Sequence, residues 1–405
     1  MAHPGGWTAF EWPRTGAGPH ELVALRLAHR FAGGEAYMRE GWQSWSTPVP
    51  ARVGTGVRRA ASAGPPRFGR RHWLLAPPYA GDESYHVWRS ASATAYVERS
   101  SAVFVADAEG LAVVREEPAG GRHPVVWFAP RPAGDAELAA RLTVARPPVL
   151  AYTGWSTWDA YGTDLRADDL LEELGAIERR LGDTVEVVDV DDGWQRVIGD
   201  WVPRDRAMAH ALGAVAGDRR LALWWAPFVV HREAELAAEH PDWIVRDRDG
   251  HPVVVLARDE PWEAWALDLT RPEVVAWLGD TAARLAGYGA QLLKCDFLYA
   301  SEVTGDAARG GTCADPSLTG EEAHRRALHA IRDAGVALIG CGAPLWSSAG
   351  LVDLMRVGPD TGRRWWRSPP AGLEPEHAGG CLANASAAVR RRQWMHGALW
   401  LNDPD

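Results

Sequence analysis

The segment TRPEVVAWLGDTAARLAGYGAQLLKCDFLYA (270–300) decides the fold, because it sets a helix directly before a buried strand. Thr270 and Glu273 have capping-box spacing, a helix start signal. The run QLLKCDFL (291–298) that follows is apolar and of strand length. Two opposite charges interrupt it, Lys294 and Asp296, and their spacing of two sends both side chains to one face of a strand. Desolvating such charges is costly unless they are paired or functional. A structural ion pair and a share in a site are both open at this point.

The same alternation recurs along the chain beyond residue 150. Further strand candidates are YTGWSTW (152–158), TVEVVDVD (184–191), RLALWWAPF (220–228), VALIGCG (336–342), DLMRVGP (353–359) and GALWLND (397–403). TGEEAHRRALHAIRDAG supplies another helix, with Thr319 and Glu322 at capping-box spacing and Gly335 where the helix should stop. Strands alternating with helices imply a parallel sheet, and this many imply a (β/α)8-type (TIM) barrel. Seven strands are found where eight are expected, so the barrel is read as truncated after the seventh. Upstream the sequence is β-rich, with DAEG (107–110) as a turn between two strand-like runs. ARPPVL (145–150) marks a boundary, since paired prolines cannot continue a ladder. The expected domains are therefore 1–147 and 148–405.

Composition narrows the function. The chain has 405 residues and a net charge of -10, which disfavours nucleic acid or an anionic membrane as partner. Neither a leader pattern nor a membrane-length apolar run is read, and a cytoplasmic protein is expected. Four cysteines without C-x-x-C spacing are expected as free thiols. Tryptophan is over-represented, 22 against 7 Phe and 8 Tyr, and its flat face suits both a core and the C–H face of a sugar.

Nearly every strand run ends in polar or aromatic residues: DVDDGW, WW, KCDF, CGAP, RVGPD and NDPD. In a barrel those ends share one face, where active sites lie. Zinc, P-loop and serine-elbow signatures are all missing, so no metal and no cofactor are expected. What remains is carboxylates on different strands, an Arg, a Lys and many indoles. Two carboxylates about 5 Å apart, one attacking and one donating a proton, equip a retaining glycosidase.

The ordered series GWSTW, DVDDGWQRVIGDW, LWWAPF, HPDW, LDLTRPEV, KCDFLYA, GCGAPL, MRVGPDTG and LNDPD resembles glycoside hydrolase family 36, in particular its shorter bacterial α-galactosidases. The resemblance runs from about residue 150 onward and reaches GWQSWS (41–46) in the β-rich part. It implies an N-terminal β-sandwich before the barrel and a retaining α-galactosidase acting on a small-molecule α-galactoside. Asp296 matches the family nucleophile and Asp360 its acid/base. Arg356, Lys294, Asp191 and Asp192 match sugar-contacting positions, Trp224, Cys341 and Trp158 wall positions, and Trp45 an aromatic sent into the pocket by the sandwich. Burial among carboxylates is expected to keep a proton on Asp360. Asp159 and Cys295 depart from the family pattern. Oligomeric state is not legible.

Three rivals accompany this reading. VEVVDVDDGW also resembles the first motif of haloacid-dehalogenase-type phosphatases, with Asp189 and Asp191 around magnesium. A degenerate sugar-binding homologue, or a galactosyl transferase of the raffinose-synthase type, would keep the pocket, with acceptor choice left to loops such as SEVTGDAARGGTCADPSLTG (301–320). Asp268 and Asp353 are read as cap or supporting residues, Cys341 as a packed wall rather than a reactive thiol, and His231 and His240 as surface groups.

Overall fold

The run carrying Lys294 and Asp296 is the middle strand of a seven-stranded parallel sheet. In chain order the strands are β1 (Gly154–Ser156), β2 (Val187–Val190), β3 (Arg220–Trp225), β4 (Ala290–Cys295), β5 (Ala337–Gly340), β6 (Leu354–Arg356) and β7 (Leu401–Asp403), and each pairs with its sequence neighbours. All seven expected strands are present. This computed structural model describes residues 2–3, 5–13, 22–41, 44–54, 82–98, 100–118, 122–144, 152–247, 249–257, 262–301, 313–362, 364–366 and 380–405. The expected domain boundary at 147/148 and residues 302–312 of the acceptor loop lie outside them.

Right-handed β–α–β crossovers demand a helix between parallel strands. Helices Ala167–Leu181, Arg206–Asp218, Pro272–Gly287, Gly320–Arg332 and Leu382–Arg391 supply them, with the short Leu345–Ser348 between β5 and β6. Local chemistry sets their starts. Asp205 accepts the Met208 N–H at 2.7 Å, and Thr319 and Glu322 form the expected reciprocal capping box. The other expected box is not formed: the helix starts at Pro272 with Arg271 as its uncapped N-cap. Thr270 instead donates its hydroxyl to Asp268 at 2.5 Å. A proline at the first helical position makes a side-chain cap less needed, and the nearby buried carboxylate takes the hydroxyl.

The first third forms two antiparallel sheets. Strands 2–3, 7–10, 126–129, 94–97, 87–90, 36–39 and 49–52 make one, and strands 22–27, 110–116, 103–107 and 82–85 the other. Trp88, Val97, Val126 and Phe128 from the first sheet meet Val23, Phe104, Leu111 and Val113 from the second in one buried cluster. The architecture is therefore a β-sandwich followed by seven strands of a (β/α)8-type barrel. One helix, Asp135–Leu142, lies in the stretch read as β-rich.

Polar contacts fasten sandwich to barrel. Glu321, from the barrel, accepts the Ser100 hydroxyl at 2.9 Å and the Ser101 N–H at 3.2 Å, with Arg115 at 3.6 Å. No helix among the described residues is long and apolar enough to cross a membrane. Cys295, Cys313, Cys341 and Cys381 are free.

Candidate active site

Residues two apart on a strand share a face, and this rule builds the site from the barrel upward. Val187, Ala222, Leu292, Ile339 and Leu354, one from each of β2 to β6, form an apolar layer with Tyr152 and Leu401 packed against it. Two residues further along the same strands come Asp189, Trp224, Lys294, Cys341 and Arg356. Two further again come Asp191 and Asp296. The site is thus the polar layer directly above an apolar one, at the strands' C-terminal ends.

Lys294 does not turn to Asp296. Its ammonium is buried and contacts Asp191 Oδ2 at 2.5 Å and Asp189 Oδ2 at 3.3 Å. Burial disfavours this ammonium, but the attraction of Asp189 and Asp191 outweighs it and leaves the pKa well above the ordinary lysine value. Asp189 is pushed up to about 6 by burial, against the pull of Lys294. Ser156 donates to Asp189 at 2.9 Å, and Thr157 accepts the Asp191 N–H at 2.9 Å. These contacts answer the phosphatase reading, because an ammonium already occupies the space between the two carboxylates that magnesium would need.

Asp296 is held separately. The Trp224 indole donates to its Oδ2 at 3.0 Å, and the Phe297 N–H donates to its Oδ1 at 2.8 Å. Phe297 adopts φ 54°, a left-handed conformation costly for a bulky residue and commonest where a site imposes it. Burial raises the Asp296 pKa above the ordinary carboxylate value, while Lys294 and the Trp224 indole act to lower it. Asp192 is also buried and accepts from Gln195 at 2.6 Å. The turn that follows needs glycine: Gly193 has φ 117°, and a Cβ there would lie 2.9 Å from the Thr163 carbonyl.

Across the pocket, the buried Arg356 bridges Asp360 at 3.0 Å and Asp405 at 2.8 Å. Asp360 departs from expectation. Its side chain is 44% exposed and its neighbour is a guanidinium, so the burial among carboxylates foreseen for it is not found. The Cys341 thiol ties both halves together: burial raises its pKa well above the usual thiol value, and it feels Asp296, Arg356, Lys294 and Asp360. Its side chain is buried.

The sandwich contributes Trp45. Its indole donates to Cys341 Sγ at 3.2 Å and meets the Phe297 and Tyr299 rings edge-on, 5.6 and 6.0 Å between centroids. Arg392, fully buried, fixes the loop that carries it, donating to the carbonyls of Ser44 at 2.6 Å and Val357 at 3.0 Å. Ser44 also exchanges hydrogen bonds with Ala343, just past β5. Trp158 stands at the end of β1, half-buried, its N–H directed to Ser156 at 3.4 Å; Asp159 beside it is exposed.

The structure thus brings together Asp191, Lys294, Asp296, Arg356, Asp360, Trp224, Cys341 and Trp45, with Asp192 next to Asp191. It adds residues the sequence reading lacked: Asp189 as a Lys294 partner, Asp405 as an Arg356 partner, and Arg392. Asp189 was available from its two-residue spacing to Asp191; for Arg392 nothing in the run Arg390–Arg392 says which arginine points inward. Asp268 and Asp353 are supporting residues as expected, Asp268 accepting the Thr270 and Ala314 N–H groups and Asp353 that of Leu338. His231 is a correction. It is buried against Trp262, and strand Val229–His231 that carries it pairs antiparallel with Glu263–Ala266 as one edge of a three-stranded sheet. Among the described residues, three metal-type side chains converge only at Asp247, Asp249 and His251. That exposed turn is closed by its own N–H groups on Asp247.

Residues 139–297 match the Melibiase family model. The α-galactosidase AgaA of Geobacillus stearothermophilus is 26% identical over 191 residues, 44% of this chain; the matched part spans only 24% of that relative's length. The α-galactosidase TtGalA of Thermus thermophilus, solved in complex with stachyose, superposes with TM-score 0.78 at 26% identity over 97% of this chain and 82% of its own. Its complex with p-nitrophenyl α-D-galactopyranoside gives 0.77 at 27% identity over 100% and 80%. Solved AgaA shares the fold at TM-score 0.53 and 15% identity, over 94% of this chain and 54% of that one. In sequence motifs, barrel geometry and these matches, the chain is similar to the α-galactosidases of glycoside hydrolase family 36.

Proposed function

We propose that this protein is a retaining α-galactosidase that releases terminal α-galactosyl residues from small galactosides. Asp296 attacks the anomeric carbon from the β face, and the glycosidic bond breaks as Asp360 gives its proton to the departing oxygen. Asp360 then takes a proton from water, which attacks the β-galactosyl carboxylate ester and frees galactose and Asp296. Lys294, Asp191 and Asp192 hold the far hydroxyls, and Arg356 the 2-hydroxyl. A glucoside would turn its equatorial 4-hydroxyl away from this set and leave buried charges unpaired, which disfavours it.

The observation that carries the reading is the fixing of both Asp296 oxygens, by Trp224 and by the Phe297 N–H, in a buried site beside the Lys294 ion cluster. A carboxylate held in one orientation can only act along one line. The TtGalA complexes, with stachyose and with an aryl α-galactoside, support the substrate class. Four free thiols fit the reducing cytoplasm as its compartment. The test is hydrolysis of 4-nitrophenyl α-galactoside beside the α-glucoside and the α-N-acetylgalactosaminide. Selective turnover of the galactoside, abolished in Asp296→Ala, is expected; equal turnover of the glucoside contradicts the proposal.

A further inference from the structure

Asp360 stands at the pocket mouth: it is open to solvent, whereas Asp191, Asp192 and Asp296 are buried. Five and six residues further along the chain, Trp365 and Trp366 are 70% and 56% exposed. Among the described residues four large apolar side chains are exposed, and three of them, Trp365, Trp366 and Leu382, gather here. Contiguous exposed apolar surface is characteristic of a binding site.

The patch is anchored. Helix Leu382–Arg391 offers its first N–H groups to it, Leu382 donating to the Arg364 carbonyl at 3.0 Å and Ala383 to that of Trp365 at 2.9 Å. Closer to Asp360, Thr361 donates its N–H and its hydroxyl to Asp405, each at 2.7 Å. Gly380 packs so closely on Asp360 that a Cβ would lie 2.7 Å from the Asp360 carbonyl. Thr361 next to Asp360, and the Arg364 and Trp365 carbonyls, are therefore each held by hydrogen bonds.

From Asp360 to Trp365 the chain can reach at most about 18 Å. On the proposed mechanism the leaving group departs past Asp360, and rings beyond the first can reach surface that a single ring cannot. Indole faces stack on the C–H faces of pyranose rings. We propose that Trp365 and Trp366 form a platform for the outer sugar units of an oligosaccharide leaving group. The inference rests on the glycosidase reading above.

The test compares wild type with a Trp365→Ala/Trp366→Ala double variant on stachyose and on methyl α-galactoside, whose leaving group cannot reach the platform. The double variant should lose about tenfold in kcat/KM on stachyose, mainly through KM, and stay within about twofold on the methyl galactoside. Equal losses on both substrates overturn the platform. A change of oligomeric mass with relative specificity unaltered overturns it too, since a second copy would then be what covers the indoles. Titration calorimetry of stachyose with the Asp296→Asn protein reads the platform without turnover: binding weakened by the double substitution supports it, and unchanged binding overturns it. Wild type inactive on every α-galactoside would defeat the glycosidase reading instead, leaving the platform to the binding arm.

Discussion

Replacing Lys294 by Met removes the cation between two carboxylates. At an effective dielectric of about 20, its contacts with Asp191 and Asp189, at 2.5 and 3.3 Å, are worth on the order of 10 kcal/mol gross. Desolvating three ions and the repulsion between the two carboxylates offset most of that, so the intact cluster contributes little net stability. Breaking it is different, because Lys294→Met leaves two negative charges without their cation. The expected loss is about 3–5 kcal/mol. Removing one carboxylate as well, in Lys294→Met/Asp191→Asn, restores balance, and the double variant should recover about 2 kcal/mol or more relative to additivity. The single variant's penalty also depends on pH. Burial already raises the folded pKa of Asp189, and the variant removes the Lys294 cation that pulls it down, so the folded state binds more protons in that window. Stability therefore rises as pH falls from about 7 to about 5. Urea unfolding of wild type, Lys294→Met, Asp191→Asn and the double variant, at both pH values, reads all of this. Strict additivity, or a penalty that ignores pH, would refute the reasoning. Activity should vanish in the double variant even where stability returns, since two of the three groups proposed to hold the far hydroxyls are replaced.

Asp360→Ala should slow α-galactosides with alkyl or sugar leaving groups far more than those with acidic phenols, which depart with little protonation; a flat leaving-group series would remove Asp360 from the acid/base role. Trp224→Phe deletes the hydrogen bond that favours ionised Asp296. The Asp296 pKa rises further, so the acid limb of the kcat/KM profile moves to higher pH, with about a tenfold loss on the plateau. An acid limb that stays put or moves down contradicts the pairing.

Period-two patterning made the barrel legible, and the same pattern located the polar layer. QLLKCDFL already placed Lys294 and Asp296 on one face, and that face proved to be the barrel interior. The partners were harder to read. Lys294 stands two residues from Asp296 yet bonds past β3 to Asp189 of β2 and to Asp191 beyond its end, because in a barrel the inward side chains of alternate strands share a layer. Asp360 was expected to be buried, since its motif resembled that of a catalytic acid. Burial depends on where the chain leaves β6, which no local pattern encodes. The Thr270 cap failed for a related reason: a tertiary neighbour, Asp268, competed for its hydroxyl. Arg392 was invisible because its value lies in joining Ser44 to Val357 across the domain junction.

The central claim, that Asp296 is the nucleophile of a double displacement, is tested most directly by Asp296→Ala with 4-nitrophenyl α-galactoside and sodium azide. Azide enters the space the carboxylate vacates, attacks the β face and restores turnover. The account predicts β-galactosyl azide as the product, identified by the coupling constant of its anomeric proton. Rescue that yields the α-azide would move Asp296 to the acid/base position and contradict the account.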